Sequence, residues 1–186
     1  VQNLIARELD FDLRRAIEMA AQRLPVPASA DSQGACLEFI VERLRNLLLE
    51  QGWRYDVVDA VLAEQGRNPA RASAAVRSLA VWVERPDWNT ILPAYARCVR
   101  ITREFKLPFQ VVPEAFVEPA ERDLYAGLQA ARGSARKPGD VAEFFAAFLP
   151  LIPAINRFFL DVLVMAEDQT VRQNRLGLLQ AVAALA

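Results

Sequence analysis

Apolar residues recur every three or four positions along almost the whole chain, and the strict alternation typical of half-buried strands is nearly absent. At this spacing the apolar side chains share one face of an α-helix. Prolines, glycines and short polar runs divide the pattern into short segments, and no segment repeats at the period of a solenoid. The pattern therefore predicts an all-α protein, a multi-helix bundle of about nine short helices.

Capping and helix-breaking residues set the predicted helix boundaries. A first helix is expected over about residues 4–24, where Pro25 and Pro27 end it. Asn68 followed by Pro69 has the residue types of an N-cap and a first helical position. Residues 106–119 contain three prolines, too many for regular structure, so this segment is the best candidate for a functional loop or a domain seam.

The composition excludes most enzyme mechanisms that depend on histidine. The 186 residues include no histidine, so no imidazole base, no Ser-His-Asp system and no His-ligated zinc can form. The 7 glycines never fall in the clusters that phosphate-binding loops require. We therefore expect no catalytic residue, no metal site and no cofactor site in this chain.

The cysteines and the apolar runs bear on cellular location. Cys36 and Cys98 form neither a CxxC motif nor a disulfide framework, so a reducing, cytoplasmic location is expected. The longest apolar run, residues 144–155, contains two prolines and is shorter than the roughly 20 residues that cross a bilayer. No membrane span is expected. Because the chain starts without Met inside a helical pattern, we expect a piece of a longer protein.

Positive charge is unevenly distributed, although the formal net charge is −1. Of the 22 basic residues, 20 are arginine. Arg97, Arg100, Arg103 and Lys106 follow one another at three-residue steps from a helix predicted over residues 88–105. Because each residue turns a helix by about 100°, these four charges spiral slowly down one side, where a phosphate backbone could follow them.

Each of these charged and aromatic features also has an explanation that does not involve RNA binding. A GC-rich genome favours arginine codons, and charged side chains on a helix are usually a solvated face. Tyr95 and Phe105, near the ends of the same helix, either stack on unpaired RNA bases or belong to the core. The turn with Arg132, Arg136 and Lys137 adds three positive charges, which is ordinary for an exposed loop.

Three stretches of the sequence resemble a known family. They are Glu42-Arg43-Leu44 with the Gln51-Gly52 turn and Asp59-Ala60-Val61-Leu62; Arg97-Cys98-Val99-Arg100-Ile101; and Asn156-Arg157-Phe158-Phe159 with Met165-Ala166-Glu167-Asp168 and Asn174-Arg175-Leu176. Together they resemble the β-subunit of the bacterial, heterotetrameric type of glycyl-tRNA synthetase. The third stretch is similar to the helical DALR-type anticodon-binding domain of that subunit. Two positions depart from the family pattern. Many members carry a basic residue where this chain has Ala96, and many carry Asn where it has Arg100.

The resemblance implies the C-terminal part of such a β-subunit. Residues 1–87 would be a helical segment leading from the upstream body, and residues 88–186 a DALR-like anticodon-binding domain. It also implies a tRNA-binding module of a class II glycine–tRNA ligase, with glycine tRNA and the α-subunit, or a fused α part, as partners, and neither DNA nor a membrane. ATP-dependent glycylation, with ATP and Mg²⁺, would occur on the α catalytic part, so the fragment alone would be non-catalytic.

The candidate tRNA contacts combine the positive stripe with this resemblance. They are Arg97, Arg100, Arg103, Lys106 and Arg157, with Arg132, Arg136 and Lys137 of the basic turn touching the RNA backbone.

Two alternatives stay open at the level of sequence. Asn156, Arg157, Asn174 and Arg175 could instead tie the last two helices together, for example through an arginine that pairs with Asp161 or Glu167. The alternative function is a helical scaffold for subunit assembly without direct tRNA contact. The apolar excess and the phenylalanines of residues 144–148 favour that reading.

Overall fold

The computed structural model describes residues 1–185 of the chain. These residues form ten α-helices and two short 3₁₀ turns, at Pro113–Ala115 and Leu149–Leu151, and no strand occurs among them. The helices are α1 (Gln2–Ala6), α2 (Leu13–Ala21), α3 (Ala30–Glu50), α4 (Tyr55–Gln65), α5 (Pro69–Val83), α6 (Trp88–Thr102), α7 (Pro119–Gly133), α8 (Val141–Phe148), α9 (Ile152–Asp161) and α10 (Gln169–Ala183). The all-α prediction is confirmed.

The helices group into two compact units. The first spans Val1–Glu84 and contains α1 to α5, and the second begins at Arg85 and contains α6 to α10. In the first unit, α3 packs against α2 and α4, and α5 packs against α4 and α1. Its fully buried side chains come from α3, α4 and α5 and are Leu44, Leu48, Val58, Ala72 and Val76.

The prediction of one continuous helix over residues 4–24 is wrong. The chain leaves the helical path after Ala6, and Glu8 takes the left-handed conformation with φ 51°. The Asp10 carboxylate then accepts hydrogen bonds of 2.6 Å from both Asn68 and Arg71 at the start of α5. Because these contacts join residues far apart in sequence, tertiary structure overrides the local helical periodicity between α1 and α2.

The second unit is built around α10. This helix packs against α6 and α7, and α9 also packs against α7 and α6. The largest fully buried side chains include Leu124 of α7, Phe148 of α8, Phe158 of α9 and Leu176 of α10. The core of this unit thus receives side chains from all of its later helices.

Side-chain caps fix the starts of the helices in the second unit. The Asp140 carboxylate accepts a hydrogen bond of 3.0 Å from the backbone amide of Glu143 at the start of α8. Asp168 accepts from the amides of Thr170 and Val171 at the start of α10. These acidic side chains satisfy amides that have no partner within the helix.

The segment between α6 and α7 lacks regular structure apart from one 3₁₀ turn, as its prolines predict. Residues 105–112, here named the strap, run along the surface of α10. The carbonyl oxygen of Phe109 comes so close to Gly177 that a Cβ atom on that glycine would lie 2.8 Å from it. The strap therefore depends on a glycine in the middle of α10, and it is held to the helix rather than looping into solvent.

Residues Val141–Asp161 form a segment that is long and apolar enough to cross a membrane, judged by length and composition alone. A mostly buried core helix of a globular protein passes the same test, whereas here a third of the apolar window is buried. The segment is broken by the 3₁₀ turn that contains Pro150, and it buries Phe145, Phe148, Ile155 and Phe158. These contacts make it part of the core of the second unit.

Candidate nucleic-acid interface

Helix α6 separates its predicted basic residues into two environments. One face of the helix is buried and consists of Ile91, Ala94, Cys98 and Thr102. Arg97 lies at the edge of this face and is half-buried, whereas Arg100 and Arg103 lie on the exposed side. The helical rotation of about 100° per residue explains the difference, because a three-residue step turns the side chain by about 60°, which places both Arg100 and Arg103 further from the buried face than Arg97.

Arg97 joins α6 to α9. Its guanidinium donates a hydrogen bond to the side-chain oxygen of Asn156, and its Cζ atom lies 4.9 Å from the ring centroid of Phe159. The buried Nε atom of Arg97 has no hydrogen-bond partner among residues 1–185. A cation stacked on an aromatic face and hydrogen-bonded to a neighbouring helix has a packing role of its own.

Arg100, Arg103 and Lys106, here named the free cation group, are exposed. The Nε atom of Arg100 donates a hydrogen bond of 3.3 Å to the carbonyl of Ala96 in its own helix. In the part of the chain that the structure describes, no carboxylate pairs with any of these three side chains. Their charges are therefore open to a ligand.

Arg157 of α9 is exposed but held by two carboxylates. Its Nη1 atom lies 3.0 Å from Asp123 of α7, and its Nε atom lies 3.2 Å from Asp161, one helical turn away. The pairing with Asp161 confirms one of the two structural alternatives raised by the sequence. The second carboxylate, Asp123, lies 34 residues away in sequence.

The basic residues of the turn at residues 132–137 also differ in their environments: two are exposed and one is hydrogen-bonded within the protein. Arg132, in the last turn of α7, and the side chain of Lys137 are exposed, and no carboxylate among residues 1–185 pairs with either. Arg136 is half-buried, and its Nη1 atom donates a hydrogen bond of 2.8 Å to the carbonyl of Leu185. The backbone amide of Lys137 donates to the carboxylate of Glu143. The turn is thus tied down by Arg136 and presents Arg132 and Lys137.

Arg175 of α10 forms the only ion pair with both partners buried among residues 1–185. Its Nε atom lies 2.9 Å from Glu121 of α7, and the two side chains are 8% and 1% exposed. The same arginine donates to the carbonyl of Leu163, and the other carboxylate oxygen of Glu121 accepts from the amides of Val117 and Glu118. Arg175 therefore has a structural role, but it ties α10 to α7 through Glu121, whereas the sequence suggested a tie between the last two helices through Asp161 or Glu167.

Asn174 is also structural. Its side-chain oxygen accepts a hydrogen bond of 2.8 Å from the amide of Val112, and its nitrogen donates one of 3.0 Å to the carbonyl of the same residue. Asn174 therefore fastens the end of the strap, whereas the sequence suggested a tie between the last two helices.

The aromatic rings of α6 and α8 pack on one another. Tyr95 makes edge-to-face contacts with Phe144 and Phe148 at centroid distances of 5.7 and 5.6 Å, and its hydroxyl donates to the carbonyl of Ala183. Phe105 is half-buried, with its ring 5.6 Å from that of Phe109. Both rings named as candidates for base stacking thus have protein partners, and both are half-buried rather than part of the fully buried core.

Cys98 lies in the buried face of α6. Burial raises the pKa of its thiol to about 12, and the positive charge of Arg97 opposes this shift only in part. At neutral pH the thiol is protonated and inert. Cys36 of α3 is exposed.

Comparison with known proteins connects this second unit to a family. The family model described as "DALR anticodon binding domain" matches residues 91–185, which begin in the first turn of α6 and include the free cation group, the strap and α10. The match covers half of the chain.

Curated relatives agree with this match. The chain is 37% identical to a glycine–tRNA ligase beta subunit of Moorella thermoacetica over 81% of its own length and 22% of that protein. It is 30% identical to glycine–tRNA ligase, chloroplastic/mitochondrial 2, of Arabidopsis thaliana over 100% of its length and 18% of that protein. A beta subunit of Desulfitobacterium hafniense is 35% identical over 88% of the chain and 24% of that protein.

The chain spans about a fifth to a quarter of the length of these curated relatives. The resemblance to the glycine–tRNA ligase beta subunit, first inferred from the three sequence stretches, is confirmed by these similarities. With the match over residues 91–185, the chain belongs to the family of DALR anticodon-binding domains.

Proposed function

We propose that the second unit binds the anticodon arm of glycine tRNA, with the free cation group as its central contact. The observation that carries the proposal is the exposure of Arg100, Arg103 and Lys106 without a carboxylate partner in residues 1–185. Its context supports the same conclusion, because these cations lie inside the matched anticodon-binding domain and the relatives are named glycine–tRNA ligases.

The chemistry of the free cation group suits an RNA backbone. Two of its members are arginines, whose planar guanidinium groups can bind a phosphate through two parallel hydrogen bonds. Cations at the C-terminal end of a helix also interact favourably with the helix dipole, which is the competing structural explanation. Measuring RNA affinity across a series of salt concentrations distinguishes phosphate binding from a purely structural role, because only phosphate binding releases counterions from the RNA.

The other candidate contacts stay predictions, and their surroundings rank them. Arg132 and Lys137 are exposed and unpaired, so we propose that they touch the RNA backbone beyond the free cation group. Arg97, Arg136 and Arg157 already donate hydrogen bonds to protein acceptors. An RNA contact by any of these three would have to share or replace a bond within the protein, so we expect their contributions to be smaller.

We propose further that the chain works within a larger, cytoplasmic glycine–tRNA ligase of class II. In that proposal it is a non-catalytic tRNA-binding part, and ATP-dependent glycylation with ATP and Mg²⁺ takes place on an α catalytic part, either a separate subunit or a fused one. The words "beta subunit" in the names of the relatives support a partner subunit, and the small share of those proteins that the chain spans supports further domains.

The alternative of a scaffold without tRNA contact loses one of its two motivations, the phenylalanines of residues 144–148. Phe145 and Phe148 of α8 are buried, and Phe144 packs on both of them and on Tyr95. The phenylalanine-rich segment therefore completes the core of the second unit and leaves no open phenylalanine groove for a partner.

The experiment is a binding titration of the full chain with a fluorescent stem-loop that carries a glycine anticodon, repeated across a series of salt concentrations. We expect the R100A/R103A/K106A variant to bind at least about tenfold more weakly at low salt, since each lost phosphate contact removes a charge-assisted bond. The slope of log Kd against log salt should fall by about 2 for the three lost contacts.

The matched control is R7A/R15A/R23A. It removes three positive charges from exposed arginines of the first unit that pair with no carboxylate in residues 1–185. We expect it to bind the stem-loop nearly as well as the parent chain. Equal losses in the two variants would mean that only net charge matters, and an absence of binding by the parent chain would refute the proposed function.

A further inference from the structure

The side chain of Gln180 in α10 holds the beginning of the strap at three points. Its nitrogen donates hydrogen bonds of 3.2 and 3.1 Å to the carbonyls of Phe105 and Leu107, and its oxygen accepts one of 2.8 Å from the amide of Phe109. The two carbonyls lie on either side of Lys106. One amide side chain thus fixes the backbone before and after the last member of the free cation group.

Two further residues of α10 continue this attachment. Gly177, three residues before Gln180, lets the carbonyl of Phe109 approach the helix, and Asn174, three residues earlier again, binds the backbone of Val112 at both its amide and its carbonyl. Residues three apart lie on neighbouring turns of one helical face. The strap is therefore fastened along one face of α10 in the absence of a ligand. Because its backbone is already ordered, binding a ligand would cost less conformational entropy.

The fastened strap presents an unusual pair of neighbours to solvent. Lys106 is exposed, and the side chain of Leu107 beside it is 78% exposed although its carbonyl is held by Gln180. Arg103 lies three residues before Lys106, and Glu104 is the one carboxylate between it and Leu107. A large apolar side chain that is exposed on a fastened backbone, beside Lys106 and four residues after Arg103, can contact a ligand with both charged and apolar parts.

An unpaired nucleotide is such a ligand. Its phosphate suits the cations, and its base, free from stacking in a loop, offers an apolar face. A base-paired stem offers the same phosphates but keeps its bases stacked and covered, so it would meet Lys106 and Arg103 without using Leu107.

We infer that residues 103–107 form a preformed contact for an unpaired RNA nucleotide, in which Arg103 and Lys106 bind phosphates, Leu107 packs against the base and Gln180 is the positioning residue. The inference rests on the proposed function and adds to it which part of the RNA is met here. The partner is a single-stranded loop, not a duplex.

Leu107→Ser tests the apolar part of this contact. The full chain is titrated with the glycine anticodon stem-loop and with a blunt duplex of the same stem, both at low salt. Leu107→Ser should weaken binding to the stem-loop about 3- to 10-fold and leave binding to the duplex unchanged, whereas Lys106→Ala should weaken both. The matched control is Leu160→Ser, which removes a leucine that is 84% exposed in α9 and should change neither affinity.

Gln180→Ala tests the positioning role. We expect about a threefold loss of affinity for the stem-loop in the parent chain and no further loss in the K106A/L107S background, since Gln180 acts through those two residues. Gln180→Met, which keeps the size but not the hydrogen bonds, should behave like Gln180→Ala. A purely structural residue would lower the melting temperature and leave RNA affinity at 20 °C unchanged in both backgrounds.

The outcomes separate this inference from the proposed function. If the parent chain does not bind the stem-loop, or if R100A/R103A/K106A binds as well as the parent, the proposed function and the inference both fail. If that triple variant loses affinity but Leu107→Ser weakens stem-loop and duplex alike, or Gln180→Ala has no effect or an additive one, the inference alone is overturned.

Discussion

Two regions of the second unit contain arginines that differ in ion pairing. Where α7, α9 and α10 meet, Arg157 pairs with Asp123 and Asp161, and Arg175 pairs with Glu121. At the end of α6, Arg100 and Arg103 are exposed, and neither has a carboxylate partner in residues 1–185. Residue type therefore does not distinguish an arginine that holds helices together from one that is exposed and unpaired. The carboxylates that the fold brings near it do.

The two regions should also respond differently to mutation. Removing one member of a buried ion pair leaves the other charge without a partner in a poorly solvated place, which is costly. Removing an exposed, unpaired arginine costs the fold little, because water already solvated its charge. We therefore expect losses of stability at the α7–α9–α10 junction and losses of RNA affinity at the end of α6.

The largest expected effect is that of Arg175→Ala. It should lower the free energy of unfolding by about 3–5 kcal/mol, because Glu121 would stay buried without its partner. Chemical denaturation followed by circular dichroism measures this change. Arg157→Ala, which breaks an exposed pair in the same region, is the control and should cost about 1 kcal/mol or less. Equal effects of the two substitutions would contradict the distinction between buried and exposed pairs.

A smaller effect is expected for Gly177→Ala, which places a Cβ atom against the Phe109 carbonyl. Because that oxygen belongs to the backbone, the strap has to move, and we expect a loss of about 1–3 kcal/mol together with weaker RNA binding. Gly127→Ala is the control. Its new Cβ atom would meet only the Leu151 side chain, at 3.7 Å, and alanine favours the helix, so a neutral or slightly stabilising effect is expected. A neutral Gly177→Ala would show that the strap is not pressed against α10.

The smallest expected effect tests directly whether pairing silences an arginine. Asp123→Asn combined with Asp161→Asn removes both carboxylates from Arg157, and we expect RNA affinity to rise about two- to fivefold at low salt. In the Arg157→Ala background the same pair of substitutions should raise affinity less, since there is no arginine to release. An equal gain in both backgrounds would mean that the substitutions act only through net charge.

The helices were largely predictable from the sequence, and their exceptions have identifiable causes. Periodicity, the Asn68–Pro69 cap and helix-breaking residues predict most of the elements, because these signals are local. The break between α1 and α2 was not predictable, since Asp10 meets its partner Asn68 only after the chain has folded. The apolar pattern of residues 4–24 taken alone favours a continuous helix.

In the candidate site, too, the contacts that could not be predicted join residues far apart in sequence. Asp161 follows Arg157 by four residues, so the sequence could predict that pair. Glu121 and Arg175 are 54 residues apart, and the contacts from Gln180 to the strap span more than 70, so no local pattern announces them. The second carboxylate on Arg157, Asp123, comes from another helix and could not be predicted from the sequence.

We propose that unpaired cations at the end of α6, and not paired ones elsewhere, bind RNA. The most direct test compares two single substitutions that remove the same charge from the same unit, Arg103→Ala and Arg157→Ala, in titrations with the glycine anticodon stem-loop. We expect Arg103→Ala to weaken binding about fivefold and Arg157→Ala to change it less than about twofold. A loss with Arg157→Ala that equals or exceeds the loss with Arg103→Ala would contradict the account.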